Sequence, residues 1–153
     1  MELQIDSHYT RQDQRVHIYS QAFLNNLNAV RSRCKAQTKI CAVIKANGYG
    51  HGIREVVHIL KHQQIDFFAV ANIYEAAYIA DITEDTKILI LEPVHIGWSS
   101  DAVEFCAEKG MHCALVDCNS LIYVQKCLKN KNLNLNVHIK VETGLGRCGV
   151  DAK

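Results

Sequence analysis

The chain has 153 residues, 48% of them apolar, which is the size of one ordinary domain with enough apolar surface for a core, and this argues against intrinsic disorder. Seventeen Lys and Arg against sixteen Asp and Glu leave a net charge of +1 without a run of five like charges, so neither nucleic acid nor an anionic membrane surface is advertised as a partner. No stretch approaches the ~18 apolar residues of a membrane span, and the opening MELQIDSHYTRQDQR lacks the apolar centre of a signal peptide, so a cytoplasmic location is expected.

After the polar leader, Val16 to Tyr19 reads as a short strand. Ser20 then reads as the N-cap of a helix over about 21–36, with Phe23, Leu24, Leu27 and Val30 at helical spacing. KICAVIK (39–45) follows as an apolar strand, then a glycine-rich loop, then a helix with Ile53, Val56, Val57 and Leu60 on one face. The alternation continues with strands DFFAVA (66–71), KILILE (87–92), HCALVD (112–117) and LNVHIKVE (135–142), separated by helices over about 74–80, 99–109 and 120–129. Near-continuous apolar strands alternating with amphipathic helices predict an α/β fold with a parallel sheet, because each crossover returns the chain to the same end of the sheet. With one proline and no Gly/Ser-rich linker, residues 1–153 read as one domain. The spacing of the units suits a (β/α)8 barrel, but about five strands are too few to close one.

The first chemically suggestive loop is Lys45-Ala46-Asn47-Gly48-Tyr49-Gly50-His51-Gly52. Three glycines in five positions cost backbone entropy, which a chain tolerates where it needs tight turns or close approach to a ligand. Lys45 ends an apolar strand, at the end of the sheet where α/β active sites are built. A partly desolvated lysine there can present a free amine to an aldehyde. The plain alternative is a strand end followed by a turn. GYGHG has neither the spacing of a dinucleotide loop nor the ending of a P-loop.

The second cluster is Val137-His138-Ile139-Lys140-Val141-Glu142-Thr143-Gly144-Leu145-Gly146-Arg147-Cys148-Gly149-Val150. Strand alternation places His138, Lys140 and Glu142 on one face, toward the mouth of the sheet, and Val137, Ile139 and Val141 on the other, against helices. Arg147 follows in a glycine-rich loop, and its planar fork suits a carboxylate. A solvent-exposed edge strand would show the same alternation.

AVIKANGYGHG (42–52) resembles the cofactor-lysine signature of alanine racemases, and VHIKVETGLGRCGV (137–150) resembles their second signature. QAFLNNLNAVR (21–31) is similar to that family's first helix. The resemblance implies the amino-terminal part of a TIM barrel whose β-rich carboxyl-terminal domain is absent from this sequence, in a family that interconverts L- and D-alanine for the cell wall as a homodimer. It implies pyridoxal 5'-phosphate as cofactor, held by Lys45 as a Schiff base, with Lys45 also the base on one face of the substrate α-carbon. Tyr49 matches the tyrosine that bonds the cofactor phosphate. Arg147 matches the arginine near the cofactor phenolic oxygen and the substrate carboxylate. Lys140 matches a lysine often carbamylated to orient that arginine.

Glu142 stands where the family usually has aspartate, so no role transfers to it. The opposite-face tyrosine base and most phosphate ligands lie in family segments beyond Lys153, so the isolated chain is expected to be inactive alone. It is also expected to self-associate or to need a complementary chain, because a five-stranded piece has two unpaired edges. Two other readings stand beside this one: a non-enzymatic pyridoxal-phosphate-binding protein of the same barrel superfamily, and a degenerate truncated product. His58 and His62 sit at i, i+4 without a third ligand in register, so no metal site is expected. Trp98, Tyr74 and Tyr78 read as packing groups, Asn47 and His51 as turn-holding residues. The seven cysteines, odd in number and without a CxxC, read as reduced core residues.

Overall fold

The computed structural model describes residues 16–83 and 86–151; the leader lies outside them. In chain order the elements are α1 (Ser20–Arg31), β1 (Cys41–Val43), α2 (Lys45–Tyr49), α3 (Ile53–Leu60), β2 (Phe67–Val70), α4 (Ile73–Ile82) and β3 (Ile88–Pro93). There follow α5 (Ser100–Glu108), β4 (His112–Leu115), α6 (Cys118–Cys127), β5 (Asn136–Ile139), β6 (Val141–Glu142) and β7 (Val150–Asp151). Strands β1 to β5 form one sheet in sequence order, every pair parallel, in the registers Cys41↔Phe67, Phe68↔Ile88, Leu89↔His112 and His112↔Asn136. β6 and β7 form a separate parallel pair. Helices join the successive strands, as the alternating pattern predicts, and β1 and β5 are the two edges of the five-stranded sheet.

Three of the helices begin where a short polar side chain takes up orphan backbone donors. Asn72 Oδ1 accepts from the Tyr74 and Glu75 amides, Ser99 Oγ from Ala102, and Asp117 Oδ1 from Ser120. Alternate strand residues Phe68, Val70, Ile88, Ile90, Cys113 and Leu115 then meet the apolar faces of the helices. α3 contributes Val56, Val57 and Leu60, and α5 contributes Val103 and Cys106, all buried in the same core. No helix among the described residues is long and apolar enough to cross a membrane.

Several local expectations are corrected. Residues 16–19 form no strand: Val16 and Tyr19 are 77% and 71% exposed, and β-branched or aromatic character makes no strand without a neighbour to pair with. Ser20 is the first helical residue, and the N-cap is Tyr19, which offers no side-chain bond. α1 ends at Arg31, because Ser32 Oγ and Arg33 Nη1 both bond the Ala29 carbonyl that a longer helix would use. The last strand stops at Ile139; Lys140 donates one more ladder bond to Leu115, and Val141 and Glu142 pair instead with β7. Val137, Ile139 and Val141 do not pack on a helix but are 42%, 70% and 45% exposed, since no helix follows β5 among the described residues. Tyr74 and Tyr78 are exposed and only Trp98 of that trio is buried. Of the cysteines, Cys106, Cys113 and Cys127 are buried, Cys148 is half-buried, and Cys34, Cys41 and Cys118 are exposed.

Candidate functional site

The loop after β1 is a left-handed turn. Ala46, Asn47, Gly48 and Tyr49 have φ of 52°, 53°, 64° and 53°. Left-handed helix costs an L-residue about 1–2 kcal/mol, so a run of four residues in it, three of them not glycine, needs strong local compensation. Several bonds supply it. Gly48 N–H bonds the Ile44 carbonyl at 2.9 Å and Gly50 N–H the Ala46 carbonyl at 3.1 Å. Asn47 Oδ1 accepts from Ile53 N at 2.9 Å and so caps α3, while His51 Nδ1 lies 2.9 Å from the Gly48 carbonyl. At Gly48 a Cβ would stand 3.3 Å from Val56 Cγ2 and press the loop against α3.

The carboxylate of Glu75, from the first turn of α4, completes the turn. Oε1 accepts from Ala46 N at 2.7 Å and Asn47 N at 3.4 Å, and Oε2 from Ala71 N at 2.8 Å. One side chain thus ties together the loops that leave β1 and β2. Lys45, two residues past the end of β1, is half-buried, and its side chain makes no hydrogen bond or ion pair among the described residues. Tyr49 is 59% exposed.

The second cluster is organised by another carboxylate. Glu142 Oε1 accepts from Gly144 N at 2.6 Å and Oε2 from Arg147 N at 2.9 Å. Bonds from the backbone amides of Gly146, Gly144 and Arg147 hold its carboxyl down at about 2. Arg147 is exposed, and its guanidinium makes no ion pair among the described residues. Lys140 Nζ donates to Cys148 Sγ at 3.0 Å, so the Lys140–Arg147 pairing that the resemblance implied is not made by the unmodified side chain.

Lys45 follows β1 and Lys140 follows β5, so these two stand at the carboxyl ends of the two edge strands of the five-stranded sheet, while Arg147 follows β6 of the separate β6–β7 pair. His138 belongs elsewhere on the sheet: its Nε2 lies 3.0 Å from His112 Nδ1, and both rings pack edge-on to Phe67. Burial, then the neighbouring His138 and Lys87, push the His112 pKa down. Among the described residues no three His, Cys, Asp or Glu side chains are placed to hold a metal ion.

Sequence reasoning missed the residues that hold these loops. Glu75 has a signal, the Asn-x-x-Glu spacing of a helix start, but that spacing predicts a reach toward the helix's own N-cap and not across to the β1 loop. The sequence assigns Glu142 no role, and nothing in it brings Cys148 to Lys140.

The pattern of five parallel strands with intervening helices, and a lysine-bearing glycine loop at their carboxyl ends, defines a section of a (β/α) barrel with its candidate site where such barrels carry them. Residues 18–153 match the family model described as alanine racemase, N-terminal domain, and the chain belongs to that family. The alanine racemase of Francisella tularensis subsp. novicida is 31% identical over 134 residues, covering 88% of this chain and 35% of the relative. Among solved structures, alanine racemase from E. faecalis superposes with a TM-score of 0.78 at 31% identity, over 88% of this chain and 35% of that one. A histidine racemase from Leuconostoc mesenteroides subsp. sake superposes at 0.77 with 26% identity, over 86% and 34%. The chain therefore spans about a third of the length of the relatives it matches.

Proposed function

We propose that this chain is the cofactor-holding part of an amino-acid racemase that uses pyridoxal 5'-phosphate, with alanine as substrate and Lys45 as the residue that anchors the cofactor. The observation that carries the reading is the presentation of Lys45: an amine without a hydrogen-bonding partner among the described residues, set at the carboxyl end of β1 by a left-handed turn. The donor set fits the group. An amine suits its aldehyde, the exposed Tyr49 phenol its phosphate, and the exposed Arg147 guanidinium its phenolic oxygen or the carboxylate of the amino acid.

Bound there, the cofactor would supply an electron sink that acidifies the α-hydrogen of an amino acid. Lys45 Nζ then holds or releases a proton on one face of the α-carbon. Arg147, from the loop that Glu142 organises, orients the substrate carboxylate, and Lys140, carbamylated or not, stands one strand end away from it. Racemisation needs a second base on the opposite face, and these residues offer none in that role. The 153 residues alone are therefore expected not to racemise alanine at a useful rate, and the missing base comes from the remaining two thirds of a racemase, on the same or a complementary chain. Self-association through the open edge strands is the other outcome the exposed β5 allows. The cytoplasm, where D-alanine for a cell wall is made, is the proposed location.

The test is direct. Pyridoxal phosphate is added to the chain, the visible absorption is recorded, the adduct is reduced with borohydride and the modified lysine is mapped. The expected product carries the label on Lys45, and Lys45→Ala loses both the band and the label. Labelling spread over surface lysines, unchanged in Lys45→Ala, would refute the assignment.

A further inference from the structure

The Glu75 carboxylate lies outside the residues matched to the family's signatures, yet it is the side chain on which the geometry of the lysine loop turns. Its Oε1 receives the Ala46 amide at 2.7 Å, and that amide belongs to the peptide unit formed with the Lys45 carbonyl. Fixing the plane of this peptide fixes ψ of Lys45, and with it the direction in which the side chain leaves the end of β1. The other oxygen is held by Ala71 N at 2.8 Å, at the end of the neighbouring strand β2. Glu75 itself is held by its own backbone, whose N–H donates to Asn72 Oδ1 at 3.1 Å. The chain from Asn72 through Glu75 to Ala46 is thus a sequence of bonds that refers the start of the left-handed turn to the rigid sheet and helix beside it.

Ordinary loop physics does not favour this turn. Ala46 has φ of 52° and no glycine to excuse it, and its amide would otherwise face solvent. A carboxylate suits the task better than an amide or hydroxyl. Two oxygens bridge two loops at once, and bonds from backbone N–H to an ionised acceptor are stronger than neutral ones.

We propose that Glu75 is a positioning residue for Lys45: it holds the Lys45–Ala46 peptide in the left-handed turn and so aims the amine at the cofactor. The role in aiming rests on the cofactor reading given above; the clamp on Ala46 does not. Glu75 touches neither cofactor nor substrate in this scheme and acts only through the backbone. Glu75→Gln retains one oxygen acceptor and replaces the other by a donor that cannot receive the second N–H. Glu75→Ala removes both acceptors.

The experiment uses the full chain and two readouts. Without cofactor, amide hydrogen exchange at Ala46 and Ala71 is followed by NMR in the parent, Glu75→Gln, Glu75→Ala and the control Glu55→Gln, which changes the same charge on α3. Exchange at Ala46 is expected to rise at least tenfold in Glu75→Ala, to a lesser extent in Glu75→Gln, and not in the control. With pyridoxal phosphate and borohydride, the share of label on Lys45 should fall toward that of surface lysines in Glu75→Ala and recover partly in Glu75→Gln. Unchanged exchange at Ala46 in both Glu75 variants overturns the proposal, whatever the cofactor does. Faster exchange with undiminished selectivity for Lys45 also overturns it, because the clamp would then not aim the amine. If the parent shows no preference for Lys45 while exchange responds as expected, the cofactor reading fails and the clamp stands. Should Glu75→Ala not fold, Glu75→Gln alone decides on the same two readouts.

Discussion

Gly149 is the position where a single methyl group should do most damage to the arginine loop. Its φ is +146°, and a Cβ there would stand 2.5 Å from Glu142 N, 2.8 Å from the Val141 carbonyl carbon and 3.0 Å from the Lys140 oxygen. All three are backbone atoms, so no side chain can swing away. Restoring an ordinary 3.4 Å contact to Glu142 N requires a movement of about 0.9 Å, in a segment where Val150 N bonds the Lys140 carbonyl at 2.8 Å. Gly146 provides the comparison: its φ is +69°, but a Cβ there meets nothing within 4 Å. Gly146→Ala should therefore cost only the left-handed conformation, about 1–2 kcal/mol. Gly149→Ala adds the clash and a lost backbone bond, for about 2–4 kcal/mol in total. Because β6 and β7 form their own pair, that cost is met by local opening and not by unfolding of the sheet. At tenfold per 1.4 kcal/mol, amide exchange at Val150 should accelerate about 30- to 700-fold in Gly149→Ala and about 5- to 30-fold in Gly146→Ala. Equal acceleration in the two variants would refute the steric argument.

Two further expectations concern the core and the acid response. Phe68, fully buried at the centre of the sheet, should on replacement by Ala lower the stability by about 3–5 kcal/mol, read as a shift of the urea midpoint at constant slope; a smaller loss would mean that the site collapses around the cavity. Glu142, whose carboxyl is held down at about 2, contributes its loop bonds fully above about pH 4.5 and loses them as the pH falls from there through about 2, so the protection of the Gly144 and Arg147 amides relative to their intrinsic exchange rates should fall over that interval in the parent and be independent of that titration in Glu142→Gln.

The order of strands and helices was legible because it rests on repeated signals. The apolar runs at 66–71 and 112–117 each bury three consecutive residues, that at 87–92 buries Ile88 and Ile90, and a polar cap opens each of the helices α4, α5 and α6. What failed was local and depended on neighbours. Val16 to Tyr19 has strand-like residues but no strand to pair with. Val137, Ile139 and Val141 have the alternation of a covered strand but lack a covering helix among the described residues. The candidate site divides in the same way. The two glycine-rich motifs put forward Lys45, Tyr49, Lys140 and Arg147 as its candidate residues. Their supports were not legible there, because the bond from Glu75 to Ala46 joins residues 29 apart and the handedness of the turn at Ala46 and Asn47 is set by such bonds and not by residue type.

Those supports share one chemical logic. Each of the two glycine-rich loops turns backbone N–H groups onto a carboxylate, Glu75 for the loop after β1 and Glu142 for the loop after β6. A lone carboxylate beside a lysine or arginine would ordinarily form an ion pair, and the cation would then be engaged. Here the carboxylates are satisfied by backbone amides, and neither forms an ion pair with the cation of its loop. The arrangement fixes the backbone on either side of Lys45 and Arg147 with negative charge nearby, yet leaves the amine and the guanidinium available to a ligand. A lysine or arginine in place of either carboxylate would supply no acceptor at all, and a neutral amide would satisfy one N–H and repel the next. The residue type at positions 75 and 142 thus follows from the geometry of the loops that carry Lys45 and Arg147.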